Sequence, residues 1–577
     1  MSGPESKHSR THCARTVLVV VAGAILSLIL GACTSQPSLD REALLDPASC
    51  ESCHPDQVRE WSGSMHAYAS DDPMFIALND LLQEQTGGAA AGFCIGCHAP
   101  IAVREGATVD GTDIDSVPRY LRGVTCYFCH AVDAVEDDHN GALHLADDGV
   151  LRGPIADPVP TEAHASSYSA LDDGRALDSS QLCGACHDVV TPAGLELERT
   201  YAEWRDSIFA KPGTAALSCS RCHMPGSDRP AAMVAGAPER RVHEHAMPGI
   251  DVALHAWPET DAQRDLIARD LQPAILGKLC VSPAGGGVDV EVTLDNLLSG
   301  HSFPSGVTHA RRTWVELTAR AAGDVVYQSG ALRSDEPAVE SMDPDLWLLG
   351  TQLYDQDDNP TLLAWVAARV DGELLPAAVT NDPSDPGYYH SRSRTYHVDA
   401  MPDEVDMRVH VRPVGLEIGA MLVDLGAIAP PVAAAVPTFT LAPTEITWRT
   451  EDGYRCISGG NPLPPCSEPP RWRCSPPPCW VGACASSRTS AKPWPTPACG
   501  RRRGRRSSAA ASTSTRSARA HAAPPATPAE AADATDTRCR AGCRAGTSGP
   551  RLGRPAARRR GLQRPARHRQ PDGLLRR

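Results

Sequence analysis

Aromatic side chains are scarce in this chain: Phe, Trp and Tyr make up 5% of 577 residues. That is little for a core built from side chains alone, in a length that allows two to four domains. Basic charge is scarce over most of the chain as well. Residues 457–577 hold 24 of the 55 Lys and Arg and only 5 of the 70 Asp and Glu, leaving 31 basic against 65 acidic groups before them. The body is therefore near −34 and the tail near +19. An acidic body excludes nucleic acid as the partner of the folded part. The apolar run near the start, Thr16 to Leu30, has fifteen residues, short of the ~20 that a membrane-crossing helix needs.

Cysteine followed by histidine is abundant instead. Cys-x-x-Cys-His occurs five times, as Cys50-Glu51-Ser52-Cys53-His54, Cys94-Ile95-Gly96-Cys97-His98, Cys126-Tyr127-Phe128-Cys129-His130, Cys183-Gly184-Ala185-Cys186-His187 and Cys219-Ser220-Arg221-Cys222-His223. Chance would give about 0.03 copies at this Cys and His content. Two thiols three residues apart lie on one side of a helical turn and can form thioethers to the two edges of one porphyrin. The adjacent histidine then reaches the iron. Zinc sites and thioredoxin-like motifs also use Cys-x-x-Cys, but neither needs the histidine or five repeats. The cofactor expected is covalent haem c, five copies, over residues 48–257. Five large apolar discs would make up the aromatic shortfall.

Residues 1–33 read as an export signal: Lys7, Arg10 and Arg15, the apolar run, then Leu30-Gly31-Ala32-Cys33. That ending resembles a lipoprotein cleavage site, with Cys33 the lipidated first residue of the mature chain and residues 34–47 a tether. An ordinary signal peptide or an uncleaved anchor are the alternatives. The expected location is the periplasm or the periplasmic face of the outer membrane.

After the first motif comes Glu60-Trp61-Ser62-Gly63-Ser64-Met65-His66-Ala67. Twelve residues of unbroken helix would separate His66 from His54 by about 18 Å, so His66 is expected to serve another haem; Gly63 can break the helix. Glu203-Trp204-Arg205-Asp206-Ser207 echoes this segment, with Phe209 where His66 would stand, which suggests a duplicated unit. A 52-residue insert between the third and fourth motifs carries His139, His144 and His164, and His243 and His245 follow the fifth. Twelve histidines lie outside the motifs and before the tail, more than five irons need for a second axial ligand.

Pro258 to Leu279 reads as a helix interrupted at Pro273, within a helical linker over 258–284. From Gly287 the pattern alternates, Val288, Val290, Val292 and Leu294 against Asp289, Glu291, Thr293 and Asp295. Further strands are expected over 313–319, 324–328, 362–370, 394–398 and 405–411. The fold class is thus a mostly α and irregular multihaem domain, then a small β-sandwich-like domain over 285–456, then a disordered basic tail over 457–577. The turn Gly300-His301-Ser302-Phe303-Pro304-Ser305-Gly306 either projects His301 toward a haem or leaves it at the surface. Asp355, Asp357, Asp358 and Asn359 read as a solvated turn or a calcium loop. The tail is rich in Ala, Arg, Pro and Ser and has no apolar period; translation out of frame explains that composition, a basic tail for anionic surfaces being the alternative.

The motifs, with Trp61-x-x-Ser64-x-His66-Ala67, Gly123-Val124-Thr125-Cys126 and Cys222-His223-Met224-Pro225, resemble multihaem cytochromes c of the c-552/4 type, relatives of the tetrahaem electron acceptor of hydroxylamine oxidation. The resemblance covers about residues 48–250. It implies closely packed haems, mostly bis-histidine, in stacked and perpendicular pairs. It also favours His301 and one of His243 or His245 as axial ligands. The iron-ligating set expected is His54, His98, His130, His187 and His223 with His66, His164, His243, His245 and His301. Five motifs rather than four, and the tail, depart from the family.

The function expected is electron transfer between a redox donor and an acceptor protein, with membrane anchoring through Cys33. The alternative is a haem oxidoreductase acting on a small nitrogen or sulfur compound at one open iron. No Cys-x-x-Cys-Lys, the lysine-ligated catalytic signature of some multihaem reductases, occurs in the chain. A third possibility is a docking role for the β domain on a membrane complex.

Overall fold

The computed structural model describes residues 38–296 and 298–460. The export signal, Cys33 and residues 461–577 of the tail lie outside them.

Through residue 257 the chain is a series of short helices joined by turns and four small two-stranded sheets. The sheets are β1 (Val132–Val135) with β2 (Leu143–Leu145), β3 (Val150–Gly153) with β4 (Ala165–Tyr168), β5 (Val189–Val190) with β6 (Glu196–Glu198), and β7 (Gly226–Pro230) with β8 (Glu239–His243). The longest helix here, Pro73–Thr86, starts with Asp72 as N-cap and Pro73 in the first turn, and ends at left-handed Gly87 (φ 61°). The helix Pro55–Ser62 ends at Gly63, and Ser64 caps a new turn, Met65–Tyr68, that carries His66. The break turns His66 out of line with His54.

Two sheets follow. The first has the order β16-β10-β9-β20, from β9 (Ile275–Ala284), β10 (Gly287–Asn296), β16 (Ser391–Val398) and β20 (Cys456–Ser458). The second has β14-β13-β11-β17-β18 as its path, from β11 (Arg312–Ala321), β13 (Trp347–Tyr354), β14 (Pro360–Thr361), β17 (Glu404–Arg412) and β18 (Phe439–Thr440). β12 (Asp324–Ser329), β15 (Arg369–Glu373) and β19 (Ile446–Arg449) pair with β11, β13 and β17. Alternation on β10 puts Val288, Val290, Val292 and Leu294 at 0% exposure, opposite Leu279 and Val281 of β9. They share one core with Val315 and Leu317 of β11 and Val405, Met407 and Val409 of β17. Each such side chain contributes about 1.5–3 kcal/mol on burial. Two sheets closing on one core make the sandwich-like architecture.

Three expectations change. The helix before the sheets runs Thr260–Leu271 and stops ahead of Pro273, and β9 begins at Ile275. Leu271, Ile275 and Leu279 are four apart, which satisfies a helical period and also the alternation of β9. The expected linker over 258–284 therefore contains the first strand of the sandwich. Residues 362–370 form no continuous strand: the Trp365 indole reaches the Gln85 side chain at 2.9 Å, and Leu362 packs beside Met74 and Ile418. The sheet also passes residue 456, because Ile457 pairs with Leu279 and Gly459 donates to the Gly277 carbonyl. Cys280 and Cys456 are bonded as a disulfide across β9 and β20, a pairing the sequence reading missed.

The sandwich and the haem-motif region are tied together by polar contacts. Arg311 grips the Asp251 carboxylate with two nitrogens, at 3.0 and 3.1 Å. Within the β-rich region itself, Arg312 of β11 pairs with Glu417 on the helix Leu416–Asp424, both buried. Among the described residues no helix is long and apolar enough to cross a membrane. At the acidic turn, Asp355 accepts the backbone N–H groups of Asp357 and Asn359, both at 2.9 Å.

Candidate haem centres

Each Cys-x-x-Cys-His sits on a single helical turn. In the first, second and fourth motifs the histidine N–H donates to the carbonyl of the leading cysteine: His54 to Cys50 (2.8 Å), His98 to Cys94 (3.3 Å) and His187 to Cys183 (3.0 Å). The third and fifth lie within the helices Cys126–Ala131 and Cys219–His223. This local fold puts both thiols on one side and the imidazole beyond them.

Three motif imidazoles face a second imidazole from a distant segment. His54 faces His164 with ring centres 6.4 Å apart, His187 faces His66 at 6.2 Å, and His130 faces His245 at 6.5 Å. A metal–imidazole bond is about 2 Å, and the nitrogen lies roughly 1 Å from its ring centre, so two imidazoles sharing one metal hold their centres roughly 6 to 6.5 Å apart. The residues present therefore fit haem.

Orientation agrees. Nδ1–H donates to a backbone carbonyl in His54 (Ala231, 3.1 Å), His98 (Ala69, 2.9 Å), His130 (Arg152, 2.5 Å), His223 (Pro248, 2.8 Å), His243 (Met224, 2.8 Å), His245 (His243, 3.0 Å) and His301 (Ser302, 2.9 Å). His164 Nδ1 meets the Ala165 carbonyl and the Ser166 hydroxyl, His66 Nδ1 meets the Met247 sulfur at 2.8 Å, and His187 Nδ1 lies 3.5 Å from Glu198. An outer partner at Nδ1 fixes the tautomer that leaves Nε2 free to bind metal. The pattern differs at His255, His390 and His410, whose Nε2 atoms lie against protein oxygens of Asp71, Asp295 and Glu316.

Burial favours the neutral form, the one that binds iron, in five of these rings. Burial and the neighbouring His187 push His66 down to about 4. Burial and His130 push His245 to about 3, and burial takes His301 to about 4 despite its Ser302 hydrogen bond. His54 and His98 are lowered for the same first reason. Burial also weighs on His187, but the Glu198 carboxylate outweighs it and raises the ring overall.

The motifs crowd together. The Cys50 thiol neighbours that of Cys126, Cys97 that of Cys186, and Cys183 that of Cys219. Cys129 neighbours both Cys183 and Cys186. First and third motifs are thus adjacent, third and fourth adjacent, and the fourth touches both the second and the fifth. Gly123 permits one of these approaches. Its φ is 69°, and a Cβ there would stand 2.6 Å from the His66 carbonyl oxygen, to which Val124 N–H donates.

The expected ligands are not all brought together. Among the described residues no imidazole faces His98 or His223 at the separation shared by the three pairs. His98 instead stacks flat on Phe75, ring centres 3.7 Å apart. His243 lies against Gly174, lining a cavity of about 210 Å³ with Arg221, Arg240 and Arg241. Asp137, Asp138 and His139 make an acidic cluster at the surface.

Residues 49–131 match the family of cytochrome c554 and c-prime. That segment holds the first three motifs and supports a c-type cytochrome reading of the region. Among solved structures, a penta-heme cytochrome c552 from Thermochromatium tepidum is similar to the chain. It is 21% identical, covers 69% of this chain and 98% of that one, and has a TM-score of 0.47. No curated protein matches the chain.

Proposed function

We propose that the chain is an exported multihaem cytochrome c that carries electrons between a donor and an acceptor protein through five covalent haems, one at each motif. The observation that carries this reading is the set of three imidazole pairs, each joining a motif histidine to one from a distant segment. Haem, when bound, supplies a one-electron iron couple.

The chain's own part is placement. The paired thiols would anchor a haem at each motif, the three imidazole pairs would hold iron from both sides and leave no place for substrate at those three motifs, and the crowding of the motifs would bring neighbouring centres close together. The second histidine that would hold the iron is His164 at the first motif, His245 at the third and His66 at the fourth. An acidic body stabilises the ferric state and lowers potentials, with burial acting the other way. Export agrees with the Cys280–Cys456 disulfide, since such bonds persist in oxidising compartments. Lipidation at Cys33 would hold the protein at the periplasmic face of the outer membrane; nucleic acid is not a partner. The test is reductive titration of the purified holoprotein. Five one-electron equivalents taken up and returned to an oxidised partner protein support the reading, and uptake that requires a small substrate contradicts it.

The second reading is oxidoreductase chemistry at the second motif, favoured by the lack of an imidazole facing His98 among the described residues. A high-spin ferric signal moved by cyanide or nitrite would favour it. A fully low-spin spectrum that neither ligand changes would exclude it.

A further inference from the structure

The helices Pro55–Ser62 and Thr200–Asp206 make the same hydrogen bonds, position for position. Val58 N–H donates to the His54 carbonyl (3.0 Å), and Tyr201 N–H to that of His187 (3.1 Å). The hairpin β5–β6 is inserted between His187 and its helix, yet the chain returns to the same bond. Trp61 donates its indole N–H to the Val124 carbonyl (2.8 Å), and Trp204 to Leu217 (2.9 Å). Ser64 and Ser207 donate their hydroxyls to the Trp61 and Trp204 carbonyls, each at 2.7 Å. The His66 carbonyl accepts Val124 N–H (2.8 Å), and the Phe209 carbonyl accepts Leu217 N–H (3.0 Å). Val124 and Leu217 each stand two residues before the leading cysteine of a motif, Cys126 and Cys219.

The carboxylates before the tryptophans correspond too. Glu60 accepts the backbone N–H of His245 (2.8 Å). Glu203 accepts the backbone N–H of Ser302 (3.1 Å) and the Ser305 hydroxyl (2.7 Å). The two segments held in this way share a pattern, His245-Ala246-Met247-Pro248 and His301-Ser302-Phe303-Pro304. In the first copy the result is visible, because the His245 ring faces His130.

We propose that Glu60-Trp61 and Glu203-Trp204 are twin positioning devices, each fixing both axial sides of one iron. Tryptophan sets the approach to the motif and glutamate holds the segment bearing the opposing histidine. The first device aligns His130 with His245. The second aligns His223 with His301, so the fifth iron takes its second ligand from the β domain. This rests on the haem reading above. The equivalence also accounts for Phe209. His66 reaches forward to the motif of the next copy, whereas no Cys-x-x-Cys-His follows His223. Phe209 packs instead with Trp204 and Ile208, and a Cβ at Gly300 would lie 3.7 Å from its ring.

The test uses the full holoprotein, with covalent haem counted separately by pyridine haemochrome. Glu203→Leu and His301→Ala are expected to convert the same single ferric haem from low to high spin, and Glu60→Leu and His245→Ala a different one. Glu203→Gln, whose amide oxygen can still accept, should retain the wild-type spectrum, which a merely structural loss would not predict. If Glu203→Leu fails to fold, Ser305→Ala removes one of the hydrogen bonds at Glu203 and should shift the signal of that same haem. Unchanged spectra in Glu203→Leu or, failing that, in Ser305→Ala, or both glutamate variants altering one and the same haem, overturn the proposal while five covalent haems leave the electron-transfer reading standing. A wild-type protein without covalent haem overturns both.

Discussion

The imidazole of His66 faces that of His187 with ring centres 6.2 Å apart, although His66 lies in the helical turn just beyond the first haem motif and His187 closes the fourth. His66→Ala should therefore alter the fourth haem and spare the first. Because the fourth motif touches the second, third and fifth, the variant should also slow electron equilibration across the whole set. Magnetic circular dichroism for spin state and stopped-flow reduction check this. A change confined to the first haem would contradict the pairing.

Gly123→Ala should destabilise the holoprotein by about 1–3 kcal/mol or more, since the residue has φ 69° and its Cβ would strike the His66 carbonyl oxygen. Denaturant unfolding measures the cost. The spectrum of the fourth haem should change with it, because the same carbonyl lies on the residue that faces His187.

Removing the disulfide with paired Cys280→Ser and Cys456→Ser should cost about 2–4 kcal/mol, as the bond closes a long loop across β9 and β20. Haem spectra should be unchanged, since the bond lies in the sandwich. Thermal melts with and without reductant on the wild type provide the matching control.

Glu417→Leu leaves the Arg312 guanidinium buried without its partner and should cost about 3–5 kcal/mol. Replacing both residues with apolar ones of similar size should recover much of that loss. Equal losses in the single and double variants would show that the pair is not what matters there.

Glu316 is held below the usual carboxylate range first by its hydrogen bond with His410, 2.7 Å away. A carboxylate lowered in the folded state contributes stability above its unfolded value of 4.5, and that contribution is lost as pH falls through the lowered folded value. His410→Phe should flatten this acid limb. An unchanged pH profile between the two proteins would contradict the assignment.

Much of the haem region was legible because covalent chemistry leaves a fixed spacing. Cys-x-x-Cys-His must occupy one helical turn, and all five do. That Gly63 could end the first helix was legible, but the helical-rise argument for sending His66 elsewhere assumed an unbroken helix, and it is the break that redirects His66. The partners of each ring were not legible, since His164 and His245 meet His54 and His130 through tertiary packing that no local period encodes. The alternation of β10 was plain because one face is fully buried. β9 was hidden because its apolar residues fit two periods at once. The Cys280–Cys456 bond was hidden because the two cysteines lie 176 residues apart, outside both the motifs and the tail, with no spacing that marks them as partners. The Glu203-Trp204 echo was visible, but its meaning depends on Ser302 and Leu217, which lie elsewhere in the chain.

Counting covalent haem on the mature, exported protein tests the central claim most directly. Intact mass together with a pyridine haemochrome assay should give five porphyrins per chain, with tryptic peptides assigning one to each motif. An exported chain carrying free thiols at these positions and no bound porphyrin would contradict the account.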